Sequence, residues 1–74
     1  MGVAETLREK KPGFEGPLLD FQGPLALQSR LMELGFVRGE QLRVEGRTPF
    51  QDVIVSVRGT EICLRPQEAE CLLV

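Results

Sequence analysis

Cys63, Glu68, Glu70 and Cys71 are the one cluster in the sequence whose residue types invite metal chemistry. The chain contains no histidine, and a mixed set of soft thiols and hard carboxylates without imidazole makes a poor site. The expectation is therefore that no metal is bound, with Cys63, Glu68 and Cys71 the candidates if one is. Seven residues separate the two cysteines. That spacing suits neither a C-x-x-C redox motif nor a zinc knuckle, and two thiols cannot build a disulfide framework. They read as free reduced thiols, a structural disulfide being the alternative.

The other chemistries fail on composition. Without histidine there is no Ser-His or Cys-His nucleophile pair. A carboxylate pair of the glycosidase type needs a cleft, and a chain of 74 residues has material for one compact core and no deep cleft. No G-x-x-x-x-G-K-[ST] or G-x-G-x-x-G run is present, so no phosphate cradle of known form exists. Enzymatic activity and a bound cofactor are not expected. Eleven acidic and nine basic side chains give a net charge of −2, with the signs interspersed and neither Tyr nor Trp available for base stacking. Nucleic-acid binding is not expected. No window reaches the roughly 18 apolar residues of a membrane-spanning helix, and Met1 to Lys11 does not resemble a signal peptide. The sequence reads as a single cytoplasmic domain, residues 1–74, without direct membrane insertion.

Function must then lie on a surface, and the surface depends on the scaffold. Thr6-Leu7-Arg8-Glu9 has capping-box spacing before Pro12-Gly13, which predicts a short helical turn. Glu15 to Phe21 reads as a first strand. From Pro24 to Leu34, Leu27, Leu31 and Leu34 fall at i, i+4 and i+7 with Gly35 in the C-terminal cap position; this is the one α-helix, its apolar stripe expected over an open barrel end. The period then shortens to two. Leu42 and Val44 alternate with Arg43 and Glu45, Val53, Val55 and Val57 with Ser56 and Arg58, and Ile62 and Leu64 with Glu61, Cys63 and Arg65, predicting three antiparallel strands with a tight turn at Gly59-Thr60. Pro66 to Glu70 makes one helical turn, and Cys71 to Val74 is a closing strand. The fold class expected is mainly β, a small barrel of about five antiparallel strands.

The segment Ser29-Arg30-Leu31-Met32-Glu33-Leu34-Gly35-Phe36-Val37-Arg38-Gly39 resembles the helix-to-strand motif of the FeoA family, R-L-x-E-[LM]-G-[FL]-x-x-G. The likeness continues in register through Thr48 to Asp52, Val57 to Thr60, Leu64-Arg65 and Glu68-Ala69-Glu70, covering nearly the whole chain. Lys10 stands where the family's first turn commonly has an apolar residue, and Gln51 where its loop frequently has glycine. The resemblance implies an SH3-like barrel and a cytosolic accessory protein of ferrous iron transport. The partner it implies is the membrane transporter FeoB, whose cytosolic GTP-binding domain is a candidate contact. A similar SH3-like domain occurs in iron-dependent repressors, so the alternative is a detached regulatory module that binds a peptide or protein.

The candidate partner surface is the loop Arg47 to Asp52. Phe50 lies there at a polar turn, either folded over an open barrel end or left for a partner. Arg38, Arg43 and Arg47 could add polar rim contacts and Asp52 the loop's charge; solvated or weakly paired surface side chains are the plain reading of these residues. The last strand or an uncovered barrel edge could also pair with a second copy, giving a homo-oligomer.

Overall fold

The computed structural model describes residues 4–74; the reading of Met1 to Lys11 as unlike a signal peptide lies, for its first three residues, outside them. A 3-10 turn, Leu7–Glu9, opens the described chain, followed by β1 (Glu15–Pro17), β2 (Asp20–Phe21), α1 (Leu25–Glu33), β3 (Gln41–Arg47), β4 (Val53–Val57), β5 (Thr60–Leu64), α2 (Pro66–Ala69) and β6 (Leu72–Leu73). The strands form a four-stranded sheet in the order β1-β3-β4-β5 and a two-stranded sheet of β2 and β6. All pairings are antiparallel. The mainly β architecture with one substantial α-helix is the one expected.

The core follows from the alternation. Leu42 and Val44, Val53, Val55 and Val57, and Leu64 face inward and are buried. Leu7, Leu18, Phe21, Leu31, Phe36, Ala69, Cys71 and Leu72 close around them. Residues two apart on a strand share a face, so these valines and leucines can meet only in this register.

Four sequence expectations need correction. Glu15 to Phe21 is two strands, because the chain changes sheets at its midpoint: the Leu18 N–H donates to the Glu40 carbonyl at 2.9 Å, whereas the Leu19 N–H donates to the Leu73 carbonyl at 2.8 Å. Pro17, which lacks an N–H, marks the end of the first ladder. The tight turn is Arg58-Gly59 and not Gly59-Thr60, since Val57 pairs with Thr60. Arg58 and Gly59 have φ of 53° and 79°, the positive pair that a type I′ hairpin requires. Leu34, expected in the apolar stripe, is exposed; of that stripe only Leu31 is fully buried, with Leu27 packed partly against the core. The Thr6 side chain makes no capping bond, the turn being closed instead by the Glu9 N–H on the Thr6 carbonyl at 3.1 Å.

Helix α1 stops where its sequence directs. Gly35, at φ 109°, takes a conformation costly to side chains carrying a Cβ, and its N–H bonds the Met32 carbonyl at 3.1 Å. At the C-terminus, the Glu68 carboxylate accepts the Arg65 N–H at 2.8 Å, capping α2, and Val74 exchanges backbone bonds with Glu5. The ends of the described chain are thereby tied together.

Candidate partner-binding surface

The β3–β4 loop is built on Thr48. Its hydroxyl accepts the N–H groups of Phe50 and Asp52, each at 3.2 Å. Its backbone N–H donates to the Asp52 carbonyl at 3.1 Å and its carbonyl accepts the Gln51 N–H at 3.0 Å. A threonine in this position replaces the ladder bonds missing from a turn. The result is a fixed loop with Phe50 at its tip, 81% exposed. Of the two readings open for Phe50, the structure has the exposed one. Gln51 has φ 70°, so the position at which the family resemblance anticipates glycine is the one with left-handed backbone.

Arg47 has a different fate from the one its place in the sequence suggests. Strict alternation would put Arg43, Glu45 and Arg47 on one outer face. The β3–β4 register shifts between Val44 and Gly46, however, pairing Gly46 with Ile54 and Arg47 with Val53. This bulge reverses the phase and brings Arg47 onto the side of buried Val53. There its guanidinium donates to the carbonyls of Arg8 and of Lys10, the latter at 2.6 Å. Arg47 thus ties the N-terminal turn to the root of the loop.

The other candidates are spread over the surface. Arg38 lies on Asp20 (Nη2–Oδ1 2.7 Å) with its guanidinium 5.3 Å from the centre of the Phe21 ring. The Phe21 N–H on Asp20 Oδ1, together with Arg38, holds the Asp20 carboxyl below its ordinary range. Arg43 reaches Glu15 at 3.4 Å and Glu45 at 3.5 Å. Asp52 is half-buried at the end of the loop.

The metal candidates do not converge. Among the described residues no group of three or more Cys, Asp or Glu side chains is placed to hold an ion. Cys63 is exposed on β5 and Cys71 is buried, both free, so the disulfide alternative is not the structure observed. Burial, reinforced by the carboxylates of Glu70 and Glu68, pushes the Cys71 thiol up; its Sγ lies 3.4 Å from the Gln67 carbonyl. Glu68 is occupied by its capping bond and by Arg30 at 3.5 Å.

One apolar surface escaped the sequence reading. Leu25, Met32, Leu34 and Val37, along α1 and just past its end, are exposed, as is Leu19. Leu25 and Met32 are seven residues apart on the helix, a spacing that places them on one face; that repeat was present in the sequence beside the stripe built on Leu31.

The family model for the FeoA domain matches residues 5–74. The chain belongs to the FeoA family. It is similar to the solution structure of the Chlorobium tepidum FeoA protein, with 34% identity, 90% of this chain and 65% of that one covered, and a TM-score of 0.79. A Stenotrophomonas maltophilia FeoA complexed with zinc, a procaryotic SH3 domain protein, is 31% identical over 96% of this chain and 91% of that one, with a TM-score of 0.76. A manganese-dependent transcriptional repressor shares the fold at a TM-score of 0.89 and 19% identity, covering 100% of this chain and 37% of the repressor. No match was found among curated protein sequences. The chain is accordingly a small SH3-like barrel of a family related to ferrous iron transport. No helix among its described residues is long and apolar enough to cross a membrane.

Proposed function

We propose that this FeoA protein is a cytosolic accessory factor of ferrous iron uptake that binds the membrane transporter FeoB through the Thr48–Asp52 loop, without doing chemistry of its own. The observation that carries the reading is the exposure of Phe50, 81%, at the tip of a loop held by Thr48. An aromatic side chain on a rigid turn offers apolar area to a partner at little cost in conformational entropy. Arg43 lies on β3 and Asp52 at the end of the loop before β4, and both would supply polar rim contacts, with Arg38 earlier in the chain, before β3. Arg47 acts by holding the base of the loop.

The test is the affinity of the full chain for the cytosolic GTP-binding domain of its transporter, with and without Phe50→Asp. The substitution lies on exposed surface and should leave the melting temperature nearly unchanged, while affinity falls at least about tenfold, as expected for an aromatic anchor. Unchanged affinity in a folded variant would remove this loop as the contact.

A further inference from the structure

The four-stranded sheet ends in a strand whose outer edge is bare. In the order β1-β3-β4-β5, strand β5 has a neighbour on one side only. Val57 and Thr60 flank the two-residue turn, so they exchange the first ladder bonds of the hairpin. Thr60, Ile62 and Leu64 consequently direct their N–H and C=O groups toward β4, and Glu61 and Cys63 direct theirs outward. Among the described residues no turn, loop or cap backbone group bonds to Glu61 or Cys63, and both are exposed. The edge stops at Arg65, whose N–H goes to the Glu68 carboxylate and whose carbonyl accepts the N–H groups of Glu68 and Ala69.

The side chains along this edge carry a second pattern. Glu61, Cys63 and Arg65 share the outer face and all are exposed. Arg8, Lys10, Arg30, Arg38, Arg43 and Arg58 each have an acidic partner. Glu61 and Arg65 have none among the described residues. An acid and a base are thus unpaired on one strand face, flanking the open backbone groups.

We propose that β5 is a self-recognition strand, through which two copies of this chain pair antiparallel, edge to edge, about a two-fold axis at Ile62. In that register Glu61 of each copy stands opposite Cys63 of the other. All four outward backbone groups of each copy then find a partner, the condition a buried edge must meet. The same register brings Arg65 of one copy diagonally across from Glu61 of the other, at about 7–8 Å between backbones, within reach of these side chains. It avoids placing Glu61 against Glu61. Charge complementarity therefore selects a second copy in opposite orientation as the occupant, and the two-fold pairing consumes both β5 edges, so it closes at a dimer instead of growing into a fibre.

Sedimentation velocity on the reduced chain, from micromolar to millimolar, tests this. Wild type is expected to shift from monomer to dimer with concentration. Glu61→Arg places like charges across both diagonals and should weaken dimerisation roughly tenfold; Arg65→Glu should do the same, and the double exchange should restore it. Circular dichroism melts confirm that each variant is folded, and amide shifts of labelled wild type on dilution should centre on Glu61 and Cys63. A chain that stays monomeric at millimolar concentration overturns the proposal. So does a dimer indifferent to the charge exchanges, or one whose amide shifts lie away from β5.

Discussion

The β3–β4 loop and the C-terminal segment are both closely held by hydrogen bonds, with opposite outcomes for their apolar side chains. From Arg65 to Val74 nearly every group is committed: Glu68 caps α2, Ala69, Cys71 and Leu72 are buried, and Val74 bonds Glu5. From Thr48 to Asp52 the backbone is equally well held, but the largest side chain, Phe50, points away from the protein. The C-terminal segment spends its apolar residues on closing the barrel. The loop spends its polar ones on its own rigidity and leaves its aromatic one unused, which the fold alone does not require.

That contrast can be broken by substitution. Leu72→Ala should have the largest effect, a loss of about 2–5 kcal/mol in unfolding free energy, because a fully buried side chain leaves a cavity where β6 meets the core; denaturant unfolding measures it. Arg47→Ala comes next. It removes the donor to the carbonyls of Arg8 and Lys10, charge-assisted bonds worth about 1.5–3 kcal/mol, and hydrogen exchange of the Leu7–Glu9 turn should accelerate together with that loss. Gln51→Gly should act in the opposite sense, raising stability by about 1 kcal/mol at most, as the strain at φ 70° is relieved and the freer unfolded chain takes back part of the gain. Phe50→Asp should change stability least, within about 0.5 kcal/mol. A large loss there would mean that Phe50 supports the fold and would erase the contrast.

The sequence made the hairpin strands legible because Val53, Val55 and Val57 recur at a period of two and Ile62 and Leu64 repeat it. It made the helix end legible because Gly35 and the Leu27–Leu31 spacing agree. It could not reveal the fate of Arg47. A bulge adds one residue between Val44 and Gly46 and leaves no mark in the hydrophobic pattern, yet it turns every later side chain of β3 to the other face. The sheet change at Leu18 and Leu19 was hidden for a related reason: two apolar neighbours fit one strand as well as a chain passing between two sheets. Of the candidate surface, Phe50 stood out as an aromatic residue in a polar turn. The exposed set from Leu25 to Val37 did not, because a leucine-rich helix is read first as core.

The most direct measurement is an NMR titration of labelled chain with the cytosolic GTP-binding domain of the proposed partner, FeoB, following backbone amide shifts. Shifts clustered on residues 47–52, with the buried strands and the helix face of Leu25 and Met32 unmoved, are the predicted result; shifts confined to residues 25–37, or none at all at saturating partner, would contradict the assignment of the Phe50 loop as the contact.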